Sequence, residues 1–196
     1  MPKTPTTRFA QPALYRSYLF RGNRTLCLGS VPRIRSCQEI MKILTLCIGN
    51  ICRSPMAEGF LKRDLEGAWI ESAGLGALVG EAADPHAVQC ILDQGIDISA
   101  HRARQLEQEL LQGTEIVLTA SKAQVGEVER LYPWTRGRVF RLGHWLGYDI
   151  DDPYRKGIVA FRMACHTIEL AVESWIPHLR ALVPAATRLP VTPSQE

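Results

Sequence analysis

Apolar residues follow two different spacings along the chain from residue 42 onward. Four short, nearly continuous apolar runs occur at 42–48 (KILTLCI), 68–74 (AWIESAG), 115–120 (EIVLTA) and 138–142 (RVFRL). Such runs are typical of buried strands. Amphipathic stretches that predict helices lie between them, at 55–67 (PMAEGFLKRDLEG), 85–95 (PHAVQCILDQG) and 122–132 (KAQVGEVERLY). This alternation predicts a single α/β domain with a four-stranded parallel sheet and helices on both faces.

The last element has the clearest periodicity. Apolar residues recur at steps of three and four, at Ile158, Phe161, Cys165, Ile168, Val172 and Trp175. This spacing predicts a long helix with one buried face. In open parallel sheets, ligands bind beyond the carboxyl ends of the strands. The segments that follow the predicted strands are therefore expected to carry the binding site.

The first forty residues keep neither spacing for long, and they carry seven basic residues against one acidic residue, Glu39. Three interpretations fit this composition: a disordered basic tail, an upstream stretch added by a misassigned start before Met41, or an Arg-rich organellar targeting segment. We expect a basic N-terminal extension at residues 1–40, a folded domain at residues 41–182 and a C-terminal tail at residues 183–196.

Charge and composition exclude several classes of protein. Residues 41–196 carry 16 basic and 19 acidic side chains, which argues against a nucleic-acid partner for the folded part. No window approaches the roughly 18 consecutive apolar residues of a membrane span, so no stable membrane insertion is expected. The six cysteines are scattered over a chain too large to need disulfide staples, which favours a reducing, cytoplasmic location. The histidines show no metal-ligand spacing, so no metal and no cofactor are expected.

The segment CIGNICRS, from Cys47 to Ser54, connects the first predicted strand to the first predicted helix. A strand, a tight loop and a helix N-terminus bind anions because amide groups and the positive end of the helix dipole face one point. Gly49 and Asn50 are the residue types that best tolerate left-handed backbone angles in such a loop. Arg53 adds a planar fork for two phosphate oxygens, and Ser54 would either cap the helix or donate a hydrogen bond inward.

Cys47 is the unusual member of this segment, because only a few per cent of an ordinary cysteine is thiolate near neutral pH. A helix N-terminus and a neighbouring guanidinium both favour the thiolate form of a cysteine. The features that would bind an oxyanion would therefore also make Cys47 a nucleophile toward its phosphorus. A bare Cys-x5-Arg spacing occurs by chance in many chains, so the interpretation depends on the glycine, the asparagine and the strand–loop–helix context.

Several segments resemble one known family, the low-molecular-weight protein tyrosine phosphatases. They occur in the order of that family and are CIGNICRSPMAEG (47–59), ESAGLGALVGEAADPHA (71–87), SAHRARQL (99–106), GHW (143–145) and DDPYRKG (151–157). The resemblance covers about residues 42–179 and is strongest to the bacterial branch associated with tyrosine kinases of capsule and exopolysaccharide export. It implies that Cys47 is the nucleophile, Arg53 grips the phosphate and Asp152 is the general acid.

The resemblance also implies roles for the residues around these three. Those implied to bind the substrate are Ile48, Gly49, Asn50, Ile51, Cys52, Ser54 and Tyr154. Within this set, Ser54 would hydrogen-bond the Cys47 sulfur and Tyr154 would form an aromatic wall of the cleft, with Ile48 and Leu78 as further wall residues. Ser72 and His101 would support the loop around Asn50. The position of Cys52 implies a reversible disulfide with Cys47.

Phosphotyrosine hydrolysis through a phosphocysteine intermediate is the function that these residues favour, with a tyrosine-phosphorylated protein as partner. Branch similarity suggests a tyrosine kinase of the exopolysaccharide system as that partner. Two other functions use a similar loop: arsenate reduction, which needs a relay of further cysteines, and phosphotyrosine binding without turnover. Cys90 has no second cysteine within a few residues, which disfavours the first. The joint presence of Cys47, Arg53 and Asp152 disfavours the second.

Overall fold

The computed structural model describes residues 40–183. Its centre is a four-stranded parallel sheet in the order β2-β1-β3-β4. The strands are β1 (Met41–Cys47), β2 (Ala68–Gly74), β3 (Ile116–Thr119) and β4 (Val139–Arg141). The expectations for residues 1–39 and 184–196 lie outside the described residues, and the proposed domain limits stay predictions.

Helices cover both faces of the sheet. They are α1 (Arg53–Asp64), α2 (Pro85–Leu92), α3 (Gln108–Leu111), α4 (Lys122–Leu131) and α5 (Gly157–Leu182), with a short 3-10 turn at Pro133–Thr135. Helices α1, α2 and α5 share the larger core cluster, whereas α3 and α4 contribute Leu111 and Val128 to a smaller one. The predicted fold class is confirmed.

The long helix α5 buries the stripe that its sequence predicts. Phe161, Ile168 and Val172 are fully buried, and Ile158 at the start of the helix is partly buried. Burial of each such apolar side chain contributes about 1.5–3 kcal/mol relative to exposure. Trp175 is also part of this stripe, and its indole Nε1–H donates to the Leu142 carbonyl at 2.6 Å. In the part of the chain that is described, no helix has the combination of length and apolar composition that crossing a bilayer requires.

Element boundaries differ from the sequence predictions in a few places. Helix α1 begins at Arg53 rather than at Pro55, so Ser54 lies inside the first turn. Helix α2 ends at Leu92, and the Gly95 predicted to close it follows three residues later with a left-handed φ of 77°. The four-residue helix α3 was not predicted, because one helical turn is too short to show a 3.6-residue period.

Candidate active site

A cleft of about 350 Å³ opens at the carboxyl end of β1. The cleft is lined by Cys47, Ile48, Gly49, Ile51, Cys52, Arg53, Gly76, Leu78, Asp152, Tyr154 and Arg155. Two segments supply most of these residues: the Cys47 loop (residues 47–54) and the Asp152 loop (residues 150–156). The structure thus brings together the nucleophile, arginine and acid predicted from sequence positions up to 105 residues apart.

Cys47 is the last residue of β1 and is 2% exposed. Its Sγ accepts a hydrogen bond from the Asn50 amide at 3.2 Å and lies 3.0 Å from the Ser54 Oγ. Ser54 Oγ itself accepts a hydrogen bond from Asn50 Nδ2 at 2.9 Å, and its own proton can reach either the sulfur or the Ala73 carbonyl at 3.5 Å. Of the two alternatives for Ser54, the structure shows the inward contact and no side-chain cap at the helix start. The Cys47 sulfur is thus held by polar contacts with two residues of its own loop.

Asn50 holds the Cys47 loop in shape. Its φ is 57°, a left-handed angle that asparagine tolerates better than most residues, as predicted. The prediction that Gly49 would share this conformation is wrong, because Gly49 does not have a positive φ. Asn50 alone makes the reversal because its side chain is bonded inside the loop: Nδ2 donates to Ser72 Oγ at 3.0 Å, and Oδ1 accepts the Arg104 amide at 2.9 Å.

His101 and Arg104 complete the support of the Cys47 loop. His101 Nε2 lies 2.7 Å from the Asn50 carbonyl oxygen, so this ring nitrogen carries the proton and donates it. Arg104 Nε donates to the Ser72 carbonyl at 2.7 Å, and its Nη1 forms an ion pair with Glu71 at 3.1 Å. Sequence reasoning had placed Ser72 and His101 near this loop but had missed Arg104. No local pattern could reveal it, because its contact with Asn50 uses a backbone amide.

Arg53 is the first residue of α1, and its side chain is 8% exposed. Nη1 donates to the Ile150 carbonyl at 3.2 Å, and Nη2 donates to Asp152 Oδ2 at 2.6 Å. Its Nε is buried and has no hydrogen-bond partner among the described residues. A buried donor without an acceptor costs about 1–3 kcal/mol, so such a group needs an explanation. An oxyanion bound in the cleft would supply the missing acceptor.

Backbone amides add to the positive potential of the cleft. The amides of Gly49, Ile51, Cys52 and Arg53 donate to no acceptor in residues 40–183. The first turn of α1 also carries no acidic side chain that would compete for them. Unpaired amides next to a helix N-terminus form an anion site, because both present partial positive charge. The loop has the parts of an oxyanion cradle around the Cys47 sulfur.

Asp152 is much more accessible than the residues of the Cys47 loop, with 47% of its side chain exposed. Besides its ion pair with Arg53, the carboxylate accepts the Tyr154 amide through Oδ1 at 3.2 Å. Tyr154, Ile48 and Leu78 are 40–46% exposed and form apolar parts of the cleft wall. A flat apolar group could thus contact these walls while its polar end approached Arg53.

The four described cysteines are free thiols, at positions 47, 52, 90 and 165. Burial raises the pKa of Cys52, and the nearby charges of Asp84, Cys47 and Asp152 raise it further. Burial likewise raises the pKa of Cys165 to about 12. These two sulfurs are thus poor nucleophiles at neutral pH. The reversible disulfide between Cys47 and Cys52 stays a prediction. Residues 40–183 contain no group of three or more side chains arranged to hold a metal ion.

Comparison with known proteins agrees with this geometry. Residues 42–185 match the family model described as low molecular weight phosphotyrosine protein phosphatase. The probable low molecular weight protein-tyrosine-phosphatase EpsP of Ralstonia solanacearum is 48% identical over 143 residues, which cover 73% of this chain and 99% of that protein.

Solved structures share the fold over the same region. Vibrio vulnificus Wzb in complex with benzylphosphonate has a TM-score of 0.69 and 33% identity, covering 71% of this chain and 99% of its own. The YwlE arginine phosphatase from Geobacillus stearothermophilus has a TM-score of 0.68 and 29% identity, covering 72% and 94%. The sequence resemblance is confirmed, including its bacterial branch. This chain belongs to the low-molecular-weight protein-tyrosine-phosphatase family.

Proposed function

We propose that this protein hydrolyses phosphotyrosine in proteins through a phosphocysteine intermediate on Cys47. One observation carries the proposal: the hydrogen-bonded Cys47 sulfur and the Arg53 guanidinium with its unpartnered Nε line the same cleft. The complex of the related Wzb with benzylphosphonate, an aryl compound with a tetrahedral phosphonate, supports the choice of substrate.

In the first step, the Cys47 thiolate attacks phosphorus while the bond from phosphorus to the tyrosine oxygen breaks. Asp152 gives its proton to that oxygen, so tyrosine leaves as a neutral phenol. Phosphoryl transfer has a loose transition state that needs positioning and charge stabilisation more than covalent help. Arg53 and the unpaired amides of the Cys47 loop supply that stabilisation.

In the second step, Asp152 is a carboxylate and takes a proton from a water molecule. The resulting hydroxide attacks phosphorus, the phosphorus–sulfur bond breaks, and inorganic phosphate leaves while Cys47 returns to the thiolate. Asp152 is bonded to Arg53 Nη2 at 2.6 Å before substrate arrives. The substrate phosphate must therefore displace Asp152 from Arg53, which frees the carboxyl group to face the leaving oxygen.

The cleft favours an aryl phosphate over a short or strongly polar one. Ile48, Leu78 and Tyr154 present apolar surface along its wall, and they can contact a phenyl ring. Phosphoserine lacks a ring that could make these contacts. A phosphorylated guanidinium would place polar nitrogen atoms against these apolar walls, with Asp152 as the one acidic side chain among the lining residues.

The relatives support a proposal for the partner, and the free thiols support one for the location. Proteins named EpsP and Wzb are among the matches, which supports a tyrosine-phosphorylated kinase of the exopolysaccharide system as substrate. We place the reaction in the cytoplasm, where thiols such as Cys47 stay reduced. Faster release of phosphate from that kinase than from unrelated phosphotyrosine peptides would support this partner, and equal rates would exclude it.

The reaction is tested by assaying the purified chain on p-nitrophenyl phosphate and on a phosphotyrosine peptide in the presence of a chelator. We expect phosphate release that falls by at least about 10⁴-fold in Cys47→Ser, as when the nucleophile of another covalent enzyme is removed. Cys90→Ser is the matched control, because Cys90 lies on α2 and is not among the cleft-lining residues.

Three results would contradict the proposal. Binding of the phosphotyrosine peptide without phosphate release would indicate a binding module. Thiol-dependent reduction of arsenate would indicate a reductase. Faster hydrolysis of phosphoarginine than of phosphotyrosine would indicate the activity for which YwlE is named.

A further inference from the structure

Arg155 lies at the cleft and has no role in the chemistry described above. It belongs to the Asp152 loop, it is exposed, and it is one of the residues that line the cleft. Its guanidinium carbon lies 5.1 Å from the centroid of the Tyr154 ring, within the range of a cation–π contact. The charge is thus held beside the wall on which the substrate ring would pack.

The backbone of Arg155 is unusual as well. Its φ is 61°, and within residues 40–183 only Asn50 shares a positive φ among non-glycine residues. A left-handed arginine costs free energy, and such residues often occur at functional sites. The left-handed angle of Asn50 is explained by the chain reversal that this residue makes within the Cys47 loop. At Arg155 the strained backbone accompanies a guanidinium turned toward Tyr154 and the cleft.

Arg155 also lacks an acidic partner. Five other arginines form ion pairs with carboxylates within the fold: Arg53, Arg63, Arg104, Arg130 and Arg141. Among the described residues, no carboxylate lies within ion-pair distance of the Arg155 guanidinium. Its positive charge is thus available to a ligand.

The acidic groups near the cleft do not cancel this charge. Before substrate binds, Asp152 is paired with Arg53, and Asp84 accepts the His86 amide at the start of α2. When the substrate phosphate takes the place of Asp152 on Arg53, the Asp152 carboxyl group faces the leaving oxygen rather than Arg155. Asp151 is exposed but is not among the residues that line the cleft. Arg155 is therefore a cation at the mouth of the cleft. The other cation, Arg53, lies deeper in the cleft and would bind the substrate phosphate.

We propose that Arg155 forms a subsite for an anionic side chain next to the target phosphotyrosine, so that the preferred substrates carry a carboxylate or a second phosphate at a flanking position. This inference rests on the proposed function of the cleft. When the phosphotyrosine ring packs against Tyr154, its neighbours in the peptide cross the mouth of the cleft, where the guanidinium of Arg155 can reach an anion.

The test compares phosphotyrosine peptides that differ only at the residues before and after phosphotyrosine, which are Gln, Glu or phosphoserine. The measured quantity is the ratio of kcat/KM for an acidic peptide to that for the Gln peptide, so a general loss of activity cancels. We expect a ratio of about twofold to fivefold for Glu in the parent protein, the size of an exposed ion pair, and a larger ratio for phosphoserine.

Variants assign the preference to one side chain. Arg155→Asn keeps a residue that tolerates the left-handed backbone but removes the charge, and its ratio should fall to about one. Arg155→Lys should keep part of the preference. Lys156→Asn removes the neighbouring charge, which does not line the cleft, and should keep the parent ratio.

Binding of the same peptides to Cys47→Ser gives the ratio without turnover, so a failure of hydrolysis and a failure of this subsite can be told apart. An absence of hydrolysis in the parent would overturn the proposed function, whereas the binding ratio would still report on Arg155. Equal binding and turnover of Glu and Gln peptides at both flanks, a preference that survives Arg155→Asn, or an equal loss in Lys156→Asn would each overturn the subsite.

Discussion

The two loops that form the cleft differ in burial and in the number of hydrogen bonds that hold their key side chains. In the Cys47 loop, Asn50 is fully buried and makes hydrogen bonds through its amide, its carbonyl and both ends of its side chain. In the Asp152 loop, the side chain of Asp152 is half exposed and has two contacts, with Arg53 and with the Tyr154 amide. Stabilising a transition state requires donors that are already fixed, whereas an acid must change partner during the reaction. The difference in anchoring fits the different tasks that we propose for the two loops.

Removing the Asp152 carboxyl group should have the largest effect of the four changes considered. We expect Asp152→Ala to lower kcat for phosphotyrosine by about 10²–10⁴-fold, the usual contribution of a general acid. The loss should shrink for substrates with better leaving groups, such as p-nitrophenyl phosphate. Because Arg53 no longer has a competing carboxylate, inorganic phosphate should inhibit Asp152→Ala at lower concentration than the parent. Asp151→Ala is the neighbouring control, and an equal loss there would contradict the role of Asp152.

Disrupting the Cys47 loop should lower the activity somewhat less than loss of Asp152 does. It should also lower the stability of the fold. Asn50→Ala leaves the Arg104 amide without its acceptor and forces alanine into a left-handed angle. We expect kcat/KM to fall by roughly 10²-fold, as for loss of an oxyanion donor, and Tm to fall as well. Asn50→Gly restores the backbone freedom without the hydrogen bonds. If Asn50→Gly matches the parent in both measurements, the side-chain network is not what holds the loop.

Oxidation of the Cys47 loop should depend on pH. Peroxide converts the Cys47 thiolate to sulfenic acid, and attack by the Cys52 sulfur then releases water and forms the disulfide. Since burial raises the pKa of Cys52, this second reaction is limited by its thiolate fraction. The decay of sulfenic acid should therefore accelerate about tenfold per pH unit between pH 7 and 9. Cys52→Ala should retain the sulfenic acid, and a decay that does not change with pH would contradict this mechanism.

The smallest effect is expected at the edge of the network that supports the Cys47 loop. Burial alone would raise the pKa of Glu71, but hydrogen bonds from Arg104 and Trp69 lower it below its ordinary value of 4.5. The carboxylate therefore stabilises the fold above that value, and this contribution is lost as the pH falls through the lowered pKa. We expect Glu71→Gln to lose roughly 0.5 kcal/mol at pH 7 and less at pH 3, as measured by urea unfolding. An equal loss at both pH values would exclude the ion pair as its cause.

Local patterns predicted the parts of the fold that depend on local spacing. Strand β2 spans the predicted residues, and the apolar stripe of α5 is buried, because side-chain periodicity directly reflects which face is covered. Within the Cys47 loop, residue types indicated a left-handed turn, although Asn50 makes it without Gly49.

The contacts that join the loops could not be predicted from such patterns. The Ile150 carbonyl that accepts from Arg53 and the Arg104 amide that donates to Asn50 are backbone groups, which every residue possesses. Their positions depend on how the sheet brings distant segments together. The ion pair between Arg53 and Asp152 also depends on side-chain orientation, since residue type alone indicates opposite charges but no contact.

Ile150 fixes one end of the Asp152 loop, because its amide donates to the Ala120 carbonyl at 2.8 Å and its side chain is 2% exposed. The other end runs directly into α5 at Gly157. The span between these two anchors is seven residues long, which limits how far its middle can move over the cleft. We therefore expect the entrance to stay open throughout the catalytic cycle, so that a phosphotyrosine on the surface of a large folded protein can enter as readily as one on a free peptide.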